Sequence, residues 1–323
     1  MIEAKNGTYL SSDGKTKIAY RVYLPEGNPR AILQICHGMT EHMGRYEDFA
    51  RAMCEKGIIV CGNDHLGHGE SGSPDDWGFF AEEKGDEKVV RDVLSLTELM
   101  RGKYRTLPYV LLGHSMGSFI ARKYAAAYRE HIDGLIISGT SGGGSAEKAA
   151  KVLAGVLCKL KGKRSRSKLL TNMVNSNNRK RFLSEGELGW LTRDPAVRER
   201  YFADPACRFT FTVGAYRDMF SMLCEVNEDA WFDAIALDLP VFIMSGSDDS
   251  VGGFGAGVTS VYERLKEREI CDLTFKLYEG GRHEMLNELN REEVYADVLS
   301  FIDSVYEGVI ALRTGGSFDN TRS

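Results

Sequence analysis

Six short aliphatic runs alternate with helix-patterned segments along this chain, and that alternation constrains its architecture more than any other feature. The runs are "RAILQICHG", "GIIVCGND", "LPYVLLG", "IDGLIISGT", "LPVFIMSG" and "LTFKLYEG", each ending in turn-forming residues. Continuous apolar strands of this kind are buried on both faces. Between them, apolar residues recur at helical spacing, as Tyr46, Phe49, Ala50 and Met53 do in "GRYEDFARAMCEKG". Strand–helix alternation means a mostly parallel central sheet covered by helices on both faces. Upstream, "KTKIAYRVYLP" alternates apolar and polar residues, the mark of an antiparallel strand with one wet face.

The alternation stops across residues 145–236, which carry helical spacing and few strand runs. A structureless loop of that length is implausible, so the stretch is expected to be a helical cap or lid inserted into a core made of residues 1–144 and 237–309. Residues 310–323 are expected to form a disordered tail.

Within this frame, "LLGHSMGSF" stands out. Gly113-x-Ser115-x-Gly117 follows an aliphatic run and opens a helix, which is the pattern of a nucleophile elbow. The glycines permit a tight turn, and the serine is left at the carboxyl edge of the sheet. The new helix points its free N–H groups toward developing negative charge. A serine nucleophile needs a base and an orienter. "IMSGSDDSVGG" ends the next-but-one strand with Asp248 and Asp249, and "LYEGGRHEML" ends the last with His283. Serine, aspartate and histidine at three strand ends, in that order, fit acyl transfer through a covalent intermediate.

Composition excludes several other classes. Net charge is −5 over 323 residues, so no strong field attracts nucleic acid. The seven cysteines show no CxxC spacing, which argues against a disulfide framework or zinc site and fits a reducing compartment. No histidine pair has metal-ligand spacing on a helix, so neither metal nor cofactor is expected. The first residues lack the apolar core of a signal peptide. A soluble, cytoplasmic protein is expected. One segment qualifies this. "AEKAAKVLAGVLCKLKGKRSRSK" has an apolar face flanked by lysines, followed by Lys163, Arg164, Arg166 and Lys168. It reads either as a lid helix with a solvated loop or as a peripheral contact with anionic membrane.

The segments "HGMTEHMGRYEDFA" from His37, "NDHLGHGESGS" from Asn63, "GHSMGS", "GSDDSV" and "EGGRHEMLNE" resemble the α/β-hydrolase superfamily. Within it the chain is similar to the monoacylglycerol lipase and lysophospholipase group, the serine aminopeptidase S33-like hydrolases. The resemblance implies the α/β-hydrolase fold and selects Asp249 over Asp248 as the orienter, since Asp249 matches Gly-x-x-Asp-x-aliphatic. It also implies that the oxyanion is held by the backbone N–H groups of Met39 and Met116. Glu41 and Arg45 admit two readings, a pair shaping the oxyanion loop or contacts to a substrate head group. His37, His65, His68 and His114 are expected to be structural. The implied activity is hydrolysis of monoacylglycerol or lysophospholipid esters, with an S33-type aminopeptidase or a broad small-ester carboxylesterase as alternatives. The apolar and aromatic residues of the insertion are expected to set acyl-chain preference without supplying chemistry.

Overall fold

The computed structural model describes residue 2 and residues 4–314, the side chains of 175–180 excepted. A hairpin opens the chain, β1 (Ala4–Leu10) pairing along its length with β2 (Lys17–Tyr23). The six aliphatic runs then form β3 (Ala31–Cys36), β4 (Ile58–Asn63), β5 (Tyr109–His114), β6 (Gly134–Ser138), β7 (Val241–Gly246) and β8 (Leu273–Tyr278). These six are parallel to one another, and β2 joins β4 antiparallel. The resulting eight-stranded sheet has the order β1-β2-β4-β3-β5-β6-β7-β8. Strand β1 has no signature in the sequence because it is an edge strand with mostly polar residues.

Period-two alternation sorts the strand side chains between two cores. Leu33, Ile35, Val110 and Leu112 face α1 (Glu47–Glu55) and α10 (Arg291–Thr314), packing on Phe49, Val298 and Phe301. Ile32, Tyr109, Leu111 and Leu135 face the other way. There they meet α2 (Gly85–Lys103), α3 (Met116–Ala127) and α9 (Ala256–Glu267) through Val93, Ile120 and Val261.

Between β6 and β7 lie α4 (Ser145–Lys161), α5 (Lys168–Arg179), α6 (Pro195–Ala203), α7 (Val213–Glu225) and α8 (Asp229–Ala234). Helix α7 is the buried one, its Tyr216, Phe220 and Leu223 extending the core of the α3 face. Helix α4 lies on α7 and buries only Ala150 and Ala154, leaving Val152, Val156 and Leu160 as an exposed stripe. The two ends of the segment meet where Asn227 Nδ2 donates to Ser141 O at 3.2 Å.

Two expectations change. The helix at the carboxyl end does not stop at residue 309. Val309 still packs on the core and Thr314 Oγ1 bonds Ile310 O at 3.0 Å, so α10 runs to Thr314, while 315–323 lie outside the described residues. The basic run after α4 is largely engaged within the fold. Arg164 Nε meets Glu82 Oε1 at 2.9 Å and its guanidinium stacks 3.9 Å over Phe79. Arg166 donates to Trp77 O at 3.0 Å and to Thr210 O, and Lys163 donates to Glu82 O. Only Lys168, opening α5, has no such partner among the described residues. Carbonyls and acids of the 76–82 loop explain this: they need donors, and the run supplies them. Among the described residues, no helix is long and apolar enough to cross a membrane.

Candidate active site

Strand β5 delivers Ser115 to the carboxyl edge of the sheet. Its backbone sits at φ 54°, ψ −122°, a region that non-glycine residues rarely occupy. Such strain costs about 1–3 kcal/mol and persists only where the surroundings impose it. Here a Cβ at Gly117 would collide with the Cys36 backbone, and one at Gly113 with Gly117 O and Ala121. The serine is locked by its own amide, which donates to Ser138 O at 3.0 Å, and by its carbonyl, which accepts from Ser118 N at 2.8 Å and Ser118 Oγ at 2.6 Å.

Asp249 and His283 meet across the tops of β7 and β8. Nδ1–H of His283 donates to both carboxylate oxygens of Asp249 at 3.0 Å. The carboxylate is fully buried, and it also accepts from Ser245 Oγ and the Val251 amide, each at 2.9 Å. Burial by itself would push the imidazole down, but the Asp249 charge and hydrogen bonds outweigh it and hold His283 above its ordinary value. Burial would likewise raise Asp249, and the His283 imidazole prevails and holds it low. With Nδ1 protonated, Nε2 carries the lone pair. Asp248, the other candidate, pairs instead with Arg181 at 3.0 Å.

Met39 and Met116 line the same cavity as Ser115 and His283. Met116 is the first residue of α3 and Met39 lies in the loop after β3, so neither amide has a helical acceptor. That loop is held hard. Glu41 accepts from the Gly38 amide, from Tyr46 Oη at 2.9 Å and from Arg45 Nη1 at 2.8 Å. Arg45 is clamped by Glu284, with Nη2 to Oε2 at 2.6 Å, and stacks over Tyr201 at 4.6 Å. Glu41 touches the cavity and Arg45 does not. The Glu41–Arg45 pair thus braces the loop after β3, and Glu41 also faces the cavity.

His37, His65, His68 and His114 are internal. His37 Nδ1 lies 2.8 Å from Gly38 O and its Nε2 accepts the His65 amide at 3.0 Å. His68 Nδ1 lies 3.1 Å from Leu66 O. Burial pushes His37 down to about 4 and His68 to about 3. His114 is lowered to about 3 by burial and by the neighbouring His283, whose ring is 4.7 Å away.

The cavity measures about 790 Å³. Phe119, Phe209, Tyr216, Met219, Phe220 and Leu223 form an apolar wall. Glu147 and Glu187 also line it. Of the other acids in the inserted segment, Asp194 caps α6 and pairs with Arg291 at 3.3 Å.

Several supports escape sequence reasoning because their partners lie far apart in the chain. Leu191 O accepts the Glu284 amide at 2.9 Å, and Arg193 Nε meets the buried Glu288 at 2.9 Å. Tyr201 Oη donates to Thr40 O at 3.0 Å. The segment between β6 and β7 thus grips both the loop after β3 and the His283 loop. Among the described residues, one cluster of metal-ligand types is also new: His42, Asp204 and Cys207 bring one ligand atom each within 4.8 Å of one another. His42 Nδ1 accepts the Gly44 amide at 3.2 Å, so its Nε2 is protonated and donates to Asp204 at 2.8 Å. That hydrogen bonding describes a capped turn rather than a metal centre.

The family described as serine aminopeptidase, S33, matches residues 27–290. The human monoglyceride lipase is 31% identical, covering 87% of this chain and 84% of its own length. The monoacylglycerol lipase of Mycolicibacterium smegmatis is 28% identical, covering 90% of this chain and 94% of its own. Among solved structures, a thermostable carboxyl esterase of Bacillus coagulans, in complex with glycerol, superposes with a TM-score of 0.88 at 27% identity, covering 95% of this chain and 100% of that one.

Proposed function

The chain belongs to the serine aminopeptidase S33 family of α/β-hydrolases, and from that premise we propose that it is a carboxylic ester hydrolase acting on monoacylglycerols or lysophospholipids. The observation that carries this reading is a single cavity in which Ser115 and an Asp249-anchored His283 face an aromatic, apolar wall. Its volume suits a long acyl chain. The names of the lipase relatives support the same substrate class.

In the mechanism, Nε2 of His283 takes the hydroxyl proton as Ser115 Oγ attacks the ester carbonyl carbon. The carbonyl oxygen becomes an oxyanion facing the amides of Met39 and Met116; one such donor is worth about 3 kcal/mol in the transition state. The C–O bond to the alcohol then breaks, and the imidazolium protonates the leaving oxygen. Asp249 stabilises the imidazolium and fixes its tautomer. Water, deprotonated by His283, attacks the acyl-enzyme, and the acid leaves as Ser115 regains its proton. No step calls on a cofactor. The segment between β6 and β7 serves as the cap that shapes the acyl site.

A second reading follows from Glu147 and Glu187, which could hold a substrate amine as an aminopeptidase requires. A panel of p-nitrophenyl acetate, monoacylglycerol, lysophosphatidylcholine and a prolyl amide decides. The expected result is the highest kcat/KM on one of the two lipids and none on the amide. A prolyl amide as best substrate establishes the second reading, and equal rates on all esters a broad carboxylesterase.

A further inference from the structure

We propose that Glu185 and Arg282 are positioning residues for the base, fastening the segment between β6 and β7 to the His283 loop; the inference rests on reading His283 as the general base. Arg282 directly precedes His283. Its guanidinium is turned away from the reacting centre, into the other segment. Nη1 and Nη2 reach the two carboxylate oxygens of Glu185 at 2.9 and 2.5 Å. Nη1 also donates to Gly189 O, and the Phe182 ring lies 4.2 Å from the guanidinium carbon. Glu185 Oε2 also accepts from Arg198 Nη1 at 3.1 Å. This planar, two-pronged fit is one that lysine cannot reproduce.

The consequence for the base runs through the next residue. Trp190 follows the anchored Gly189 carbonyl, and its ring stands 5.4 Å from the His283 ring. His283 is therefore walled by Asp249, by His114 and by an indole whose backbone Arg282 holds. Arg282 and Trp190 flank the imidazole from the chain side and the cap side. No group in the reaction needs the charge of Arg282, yet that residue is nearly buried and bound bidentately to a residue 97 positions away. Loss of Glu185 leaves the buried Arg282 charge without a carboxylate, and loss of either partner loosens the backbone that carries the indole, although Arg198 still meets Glu185.

The test uses Glu185→Gln and Arg282→Gln, singly and together, with the exposed Leu183→Ser as control, assayed on p-nitrophenyl acetate. The acetyl group is too short to use the apolar wall. Each single variant is expected to lose about ten-fold or more in kcat with KM moving less than about two-fold, since a displaced base loses rate rather than affinity. The double variant should be no worse than the poorer single one, because both remove one unit. Amide exchange at 282–288 should quicken while the protein still melts cooperatively. Unchanged kcat in Glu185→Gln overturns the proposal, as do losses that multiply in the double variant. If Arg282→Gln does not fold, Glu185→Gln decides alone. Turnover retained by His283→Ala overturns the base reading instead, and the exchange measurement then still judges the clasp.

Discussion

At the scale of single residues, Ser115 holds a strained backbone that only its neighbours explain. Ser115→Ala and His283→Ala should each abolish ester hydrolysis, and the pair together should be little worse than either. Asp249→Asn should cost about three to four orders of magnitude in kcat. Asp249 also raises His283, so the acid limb of kcat/KM, governed by the neutral base, should lie above the ordinary imidazole value of about 6.5. In Asp249→Asn that limb should move to lower pH, and a limb that stays put would show another group titrating. Gly117→Ala puts a methyl into the Cys36 backbone, and the variant should melt well below the parent or fail to fold. Ser115 and His283 are legible in the sequence because strand ends and turn glycines mark them. Asp249 needed the family pattern, since Asp248 offers the same chemistry one residue earlier. The pairing of Arg45 with Glu41 was among the readings of the sequence, but its second partner, Glu284, was not legible, being 239 residues away.

Among the elements, the inserted segment departs most from the sequence-based expectation. Its aromatic content predicts a substrate-selective cover without chemistry, but its contacts reach Thr40, Glu284 and Glu288 in the loops after β3 and β8. Replacing residues 146–235 by a linker should therefore lower kcat/KM on acetyl esters as well as long-chain esters, by about a hundred-fold or more. Full acetyl-ester activity in such a variant would show that the loops stand alone. The basic run behaves as a strap. Changing Lys163, Arg164, Arg166 and Lys168 to Ser should lower the melting temperature by a few degrees, since exposed pairs contribute roughly 0–1 kcal/mol each. An unchanged melting temperature in that variant would return the run to the solvated or membrane-facing role that composition alone implies. Composition hides the difference because a lysine-rich run looks the same whether carbonyls or water satisfy it.

For the whole molecule, the alternation of aliphatic runs and helices made the parallel sheet legible, and every run became a strand. The polar edge strand β1 and the last turn of α10 were not, because pairing and tertiary packing decide them. Four buried histidines give the fold a pH signature. His37, His65, His68 and His114 are all pushed down by burial, so the unfolded chain binds their protons first as pH drops below about 6.5. Stability is lost there. Asp92 and Asp218, raised to about 6 by burial, work the other way, being protonated in the native state while the unfolded carboxyls remain charged, and so does the raised His283. The larger displacements belong to the histidines. The melting temperature should accordingly fall between pH 7 and pH 4.5, and a flat profile would contradict neutral, buried imidazoles.

The closed neck at Ser141 and Asn227 has a consequence for how such an enzyme can change. Because both ends of the intervening helices meet, a foreign cover could be spliced in without disturbing the sheet. Yet here the cover also holds Glu284, Glu288 and Thr40 from above. A chimera that swaps covers must bring matching footholds, or it will recognise a new molecule and turn it over poorly. Under the proposed function, substrate range and turnover are inherited together, and drift in one is felt in the other.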